Sequence, residues 1–277
     1  MKMQLNDSVA LVTGAASGIG RATALVLAAR GCHLALLDRN EAGLKETVQL
    51  VQAQPIRISQ HVVDLSNSAA IPTLPEQVLA AHPRVNILLN NAGVALGATV
   101  SAMKIEDFEW LMGINFWGVV HGTQAFLPHL EASGEGHIIN TSSVFGLVAI
   151  PSQSAYNAAK FGVRGFTEAL RMELDLAGSS VSATSVHPGG IKTNIAKNAR
   201  MTAGVGEDPA KLEQGRKNLE KAFITSPEKA AAQILRAVQN NSRRALIGPD
   251  AHMFNALSRL PLAVVQKLVT AAAKRQM

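Results

Sequence analysis

Seven short apolar runs alternate with segments of helical period along this chain, and few folds accommodate that alternation. The runs are Val9–Val12, Leu34–Leu37, Ile56–Val63, Val85–Leu89, Gly136–Thr141, Val181–Val186 and Ala245–Gly248. Helical spacing is read over Ile19–Arg30, Glu41–Ala53, Pro75–Ala81, Glu106–Leu130 and Ala155–Leu176, and Ser226-Pro227-Glu228 opens a further helix with a capping Ser and a first-turn Pro. Several of the runs are continuously apolar rather than alternating, as strands buried on both faces are. The expectation is an α/β fold, one doubly wound domain over residues 1–277 with a seven-stranded parallel sheet and helices on both faces. Two stretches depart from the pattern. Residues 194–224 are polar and broken by Gly204, Gly206 and Pro209, and residues 254–277 form a tail with Leu257, Leu260, Val264, Val265, Leu268 and Val269 near one helical face.

Composition narrows the function classes. With 277 residues and 47% hydrophobic side chains, the chain can bury a full core. Its net charge of +6 is spread along the sequence, and one Tyr, two Trp and eight Phe offer little base stacking, so no nucleic-acid partner is expected. The single cysteine, Cys32, allows neither an internal disulfide nor a cysteine metal site, and the eight histidines lack metal-ligand spacing, so no metal is expected. The first residues carry no apolar signal core, and no apolar run reaches the ~18 residues of a spanning helix, so the expected location is cytoplasmic. The tail carries Arg259, Lys267, Lys274 and Arg275. Packing on its own domain or a sister subunit is expected ahead of a membrane surface.

The first run leads directly into Thr13-Gly14-Ala15-Ala16-Ser17-Gly18-Ile19-Gly20, which opens a helix. Backbone N–H groups at a helix start attract phosphate, and glycines let a pyrophosphate come close. Asp38 ends the second run 24 residues past Gly14, where the acid that binds an adenosine ribose is expected. A carboxylate there accepts from a ribose 2′-hydroxyl and repels a 2′-phosphate, which favours NAD. Arg39 beside it could pair with a 2′-phosphate, so NADP is the second choice. A Walker loop is excluded because Arg21 follows Gly20, and the chain has no Gly-x-Ser-x-Gly elbow.

Ser142-Ser143 follows the fifth run, and Tyr156 and Lys160 lie one helical turn apart on the next helix, with Cβ atoms about 5–6 Å apart. A hydroxyl, a phenol and an ammonium so placed can move a proton at a carbon–oxygen bond. A nearby ammonium is expected to lower the phenol pKa from its ordinary ~10.

Together, Thr-Gly-x-x-x-Gly-x-Gly at 13–20, Asn-Asn-Ala-Gly at 90–93, Ser143, Tyr-x-x-x-Lys at 156–160 and Pro-Gly at 188–189 resemble the single-domain short-chain dehydrogenase/reductases, over about residues 6–250. The resemblance implies a Rossmann-type domain and an oxidoreductase that interconverts a secondary alcohol and a ketone with NAD(H). It implies Tyr156 as acid/base, Ser143 as the donor to the substrate oxygen, Lys160 as the phenolate's partner and a holder of the nicotinamide ribose, and Asn115 as the residue positioning a relay water. By the same likeness Gly14, Ser17, Gly18, Ile19 and Gly20 cradle the pyrophosphate, and Asp38 and Arg39 meet the adenosine ribose. Asp64 and Leu65 contact adenine, and Asn91, Ala92 and Gly93 line the adenosine side, with Asn90 either structural or binding. Pro188, Gly189, Ile191 and Thr193 hold the nicotinamide. The residues Val144–Pro151 border a substrate pocket or merely pack a loop; the first option implies an apolar alcohol or ketone, with 194–224 as a lid. A homodimer or homotetramer is implied through the helices at 106–130 and 155–176. Two alternatives stay open: an NADPH-dependent reductase of ketoacyl-carrier-protein or ketosteroid type, and a silent nucleotide-sensing protein.

Overall fold

A computed structural model of the chain describes residues 3–202 and 223–274. Strands β1 (Val9–Thr13), β2 (His33–Asp38), β3 (Ile58–Val62), β4 (Ile87–Asn90), β6 (Gly136–Thr141), β7 (Val181–Pro188) and β9 (Arg244–Ile247) form one sheet in the order β3-β2-β1-β4-β6-β7-β9. Every pairing in it is parallel. The α/β, seven-stranded, Rossmann-type expectation is met. Winding runs outward from β1 to β3, then reverses from β4 toward β9, so a crevice opens between the carboxyl ends of β1 and β4.

Alternate strand residues feed two cores. Leu34, Leu36, Ile87, Leu89 and Ile139 point to one face, where helices α1 (Gly18–Ala28), α2 (Glu41–Val51) and α7 (Pro227–Gln239) lie. Leu11, Leu37, Leu88 and Ile138 point to the other, against α3 (Leu74–Ala81), α5 (Gly118–Ala132) and α6 (Ser154–Leu176). Each fully buried Leu or Ile contributes about 1.5–3 kcal/mol, so it is the two-sided burial that makes these runs continuously apolar. β3, at the edge, is only half-buried. It is also shorter than the Ile56–Val63 run.

Three elements differ from expectation. The single helix expected over 106–130 is α4 (Ile105–Met112), a π turn (Gly113–Trp117) and α5. A two-residue parallel ribbon, β5 (Leu96–Gly97) with β8 (Arg200–Met201), lies outside the main sheet. The tail begins earlier than 254 and breaks at Pro261 into α8 (Pro249–Leu257) and α9 (Leu262–Lys274). Of its expected apolar face only Val265 is buried; Leu260, Val264 and Leu268 are exposed. Val265 packs with Leu147 and Val148 of the 144–151 stretch.

Buried amides tie the sheet to α5 and α6. Asn90 donates to Asn140 (2.9 Å) and to Thr123 (3.1 Å), and Asn140 donates to Thr167 (3.0 Å). Asn90 thus has a structural place, its side chain directed into the helix layer. Most of the expected lid, residues 203–222, lies outside the described residues.

Candidate functional site

The glycine turn is shaped by positive φ at Gly14 (69°) and Gly18 (55°). It is also shaped by close approach: a Cβ on Gly14 would stand 2.9 Å from the Ala92 Cα, and one on Gly18 would stand 2.9 Å from the Thr193 methyl. Any side chain at these places is strained and crowded. Thr13 fastens the turn to the end of β4. Its hydroxyl donates to the Leu89 carbonyl (3.2 Å) and accepts from the N–H groups of Asn91 (2.9 Å) and Ala92 (3.0 Å). The Asn91 amide donates to the Thr13 carbonyl. Ser17 is the N-cap of α1 but makes no side-chain capping bond. The first-turn amides of Ile19 and Gly20 are left uncapped, a fit for the pyrophosphate of a dinucleotide.

At the end of β2, one Asp38 oxygen accepts from the Ala16 N–H (3.1 Å) and the other from Asn40 (2.9 Å). Each carboxylate oxygen keeps a second lone pair for a ribose hydroxyl. Arg39 is exposed, with no ion-pair partner among the described residues. Asp64, exposed at the end of β3, accepts from the Ser66 N–H, and Leu65 lies against Gly118.

Across the crevice, Ser142 and Ser143 leave β6 in different directions. The Ser142 hydroxyl is spent on the Lys160 carbonyl (2.7 Å). Ser143 lies near enough to Tyr156 to lower the phenol pKa, and its hydroxyl accepts from the Phe145 N–H (3.1 Å). Lys160 is buried, donates to the Thr141 carbonyl (2.9 Å), and holds Nζ 5.5 Å from the Tyr156 ring centroid. Gly93 lets these parts meet: a Cβ there would be 3.3 Å from the Asn115 Oδ1 and 3.7 Å from the Lys160 Nζ. Phe145 stands edge-on to Tyr156 (6.2 Å between centroids) and to Phe254 of α8 (6.0 Å).

The phenol pKa moves opposite to the sequence expectation. Burial pushes Tyr156 up to about 12, against a lowering by the Ser143 bond. Burial likewise pushes Lys160 down to about 8. The ammonium is directed at the Thr141 carbonyl, and desolvation of the phenolate wins. Asn115 lies beside Gly93. It is fully buried in the π turn, and its amide pairs twice with the Val94 backbone, donating to the carbonyl (2.8 Å) and accepting from the N–H (2.8 Å). One N–H and one oxygen lone pair of the amide are left over after these two bonds.

At the end of β7, the Gly189 N–H donates to the Ile247 carbonyl (3.0 Å) and the Gly190 N–H to Asp250 (2.6 Å). A Cβ on Gly189 would collide with the Asp250 carboxylate. Ile191 is buried and bridged to Thr225, and Thr193 faces Gly18. The structure therefore brings the glycine turn, Asn91–Gly93, Pro188–Thr193, Asn115, Ser143, Tyr156 and Lys160 around one crevice, with Asp38, Arg39, Asp64 and Leu65 at its β2–β3 end. Sequence reading missed Thr13 and Asp250, whose partners are distant in the chain, and gave His187 no role. Among the described residues no group of three or more His, Cys, Asp or Glu could hold a metal.

Residues 8–204 match the short chain dehydrogenase family. This chain belongs to that family. Relatives similar to it include a putative oxidoreductase, SadH, of Mycobacterium tuberculosis, 44% identical over 263 residues, covering 95% of this chain and 94% of the relative. Among solved structures, a short-chain dehydrogenase/reductase from Burkholderia phymatum in complex with NAD has a TM-score of 0.84 at 31% identity, covering 92% of this chain and 94% of that one. An alcohol dehydrogenase from Thermococcus sibiricus complexed with 5-hydroxy-NADP has a TM-score of 0.69 at 25% identity, covering 85% and 90%. Membership makes the chain one of an oxidoreductase family with a nucleotide-binding Rossmann fold, and no helix among the described residues is long and apolar enough to cross a membrane.

Proposed function

We propose that this short-chain dehydrogenase interconverts a secondary alcohol and a ketone with NAD(H). The observation that carries the reading is buried Lys160 with Nζ 5.5 Å from the Tyr156 ring and close to Gly93, on the same crevice as the uncapped start of α1. Bound NAD(H) supplies or accepts the hydride. Tyr156 gives its proton to the ketone oxygen, Ser143 donates a hydrogen bond to the same oxygen, and Lys160, cationic below about pH 8, stabilises the phenolate that results. At neutral pH the phenol is in its donor form, the form ketone reduction needs. Asn115, held in the π turn by both backbone groups of Val94, keeps one N–H and one lone pair with which to position a relay water.

Asp38 supports NAD: it holds the glycine turn and presents negative charge where a 2′-phosphate would sit. Exposed Arg39 supports the second reading, an NADPH-dependent ketone reductase. The intact Asn115, Ser143, Tyr156 and Lys160 set argues against a silent nucleotide sensor. Phe145 beside the Tyr156 ring, with Phe254 packed against Phe145, supports an apolar substrate. We read the chain as one catalytic domain with residues 194–224 as its lid. Trp117 and Phe161, exposed on the helices at 113–132 and 154–176, support a dimer or tetramer built through them. A single buried cysteine, Cys32, with no cysteine to pair with in the chain, supports a cytoplasmic location.

The test is turnover of alicyclic and long-chain alcohols and ketones with NAD(H) and NADP(H); preference for small polyols would overturn the apolar assignment. Tyr156→Phe should cut turnover at least ~100-fold while NADH binding, followed by its fluorescence, stays within a few-fold. Unchanged turnover would falsify the acid/base role.

A further inference from the structure

His187 is fully buried, immediately before Pro188-Gly189, and no step of the proposed chemistry uses it. The β6–β7 ladder ends where the Ser142 N–H donates to the Val186 carbonyl (2.8 Å). Beyond that bond the two strands part, one toward Ser143 and the other toward the Pro188–Thr193 segment. The His187 ring spans the gap: Nδ1 lies 3.0 Å from the Ser143 carbonyl and Nε2 lies 2.9 Å from the Ser185 hydroxyl. A carbonyl can only accept, so Nδ1 carries the hydrogen, and Nε2 accepts from Ser185. The same Ser143 carbonyl accepts from the Gly146 N–H (2.9 Å). It is therefore held from two sides. The next links along β7 are the Gly189 N–H on Ile247 and the Gly190 N–H on Asp250, so the segment is fixed at both ends.

We propose that His187 is a positioning residue that sets the serine on the substrate oxygen in register with the segment that holds the nicotinamide. The inference rests on the dehydrogenase reading of Ser143 and Tyr156 above. One rigid imidazole joins the backbone of the proton-donating side of the crevice to the first residue of the cofactor side. Burial keeps that ring neutral, its pKa pushed down to about 4, with the Ser143 bond and Glu168 opposing, and Arg164 and Arg244 reinforcing the shift. Because Gly146 still satisfies the serine carbonyl when the imidazole is removed, the loss is one of alignment. Misplacement of reacting groups by about 1 Å costs up to ~100-fold in rate.

Three variants and one spectrum test this. His187→Leu keeps the bulk and removes the donor. His187→Asn places an amide N–H where Nδ1–H was, and His187→Gln places it where Nε2 was. With NADH and an alicyclic ketone, His187→Leu and His187→Gln should lower kcat by about 10–100-fold, with little change in NADH affinity or KM, and His187→Asn should restore most of it. In a Ser143→Ala background, His187→Leu should add no further loss. On the protein without cofactor, the 15N histidine spectrum, with the His187 signal identified by its absence in His187→Asn, should show an Nδ1–H tautomer still neutral at pH 5. A kcat within twofold of wild type in His187→Leu, equal losses in His187→Asn and His187→Gln, multiplicative losses with Ser143→Ala, or an Nε2–H or protonated ring would each overturn the proposal. If the His187→Leu variant fails to fold, the contrast between the Asn and Gln substitutions and the spectrum decide. Full activity of Ser143→Ala alone would instead take down the reading of the site, and this inference with it.

Discussion

At the scale of single residues, the candidate site is built from groups that each answer to two partners. Asp38 is the clearest case, since the carboxylate that would meet the adenosine ribose also holds the Ala16 N–H of the glycine turn. Asp38→Asn can keep that acceptor while removing the charge. We expect the preference for NADH over NADPH, measured as a ratio of kcat/KM, to fall by about tenfold, one step of ~1.4 kcal/mol, with little change in Tm. A large fall in Tm with an unchanged ratio would make Asp38 a purely structural residue. The residues that sequence reading brought to the crevice are those whose chemistry is local. Gly14 and Gly18 have backbone conformations that favour glycine, and Tyr156 and Lys160 share a face by helical spacing. The direction of the phenol shift was not legible. Spacing places an ammonium near the ring, whereas burial of both groups and the pull of the Thr141 carbonyl emerge only from the packed fold.

Among the elements, the π turn at Gly113–Trp117 joins α4 to α5 and carries Asn115 into a double bond with Val94. Asn115→Ala strands the Val94 N–H and carbonyl. Two bonds lost in part-buried surroundings cost about 2–4 kcal/mol, so the urea midpoint should drop markedly, and kcat should fall with it because Val94 borders the crevice through Gly93. A stable, active Asn115→Ala protein would contradict this. Strand positions were legible because burial on both faces writes a continuous apolar run. The ends drifted where a face opens: β3 is short of its run at both ends, and its exposed residues mark the sheet edge. The π turn was hidden because inserting one residue leaves the helical period intact on either side. Ribbon β5–β8 is two residues long and joins segments about a hundred positions apart, which no local pattern records. The tail gave its helical character but not its break, and half of its apolar face stays in solvent.

The whole molecule carries a pH liability in its histidines. Burial lowers His82 to about 4, His137 to about 3 and His187 to about 4, all from 6.5. Between pH 6.5 and about 4 the unfolded chain binds protons at these sites that the folded chain refuses, so stability rises with pH across that window and is lost as pH falls through it. Thermal melts from pH 7 to 4 should show a Tm that falls by many degrees below pH 6. Replacing His137 by Gln should flatten part of that slope, and a flat profile in the parent protein would contradict the buried neutral rings.

The β5–β8 ribbon has a consequence for time rather than for geometry. Arg200 of β8 lies 3.5 Å over the Trp110 ring and pairs with Asp107 (2.8 Å), just past the Ile191–Thr193 stretch that faces Gly18. A latch of one two-residue strand pair, one stacked guanidinium and one partly exposed ion pair is weak and partly screened by salt. If its opening precedes departure of the dinucleotide, Arg200→Ala should speed NADH dissociation several-fold in stopped-flow fluorescence, and added salt should do the same to the parent chain but not to the variant. The pace of the catalytic cycle would then be governed by a side chain that touches none of the reacting atoms.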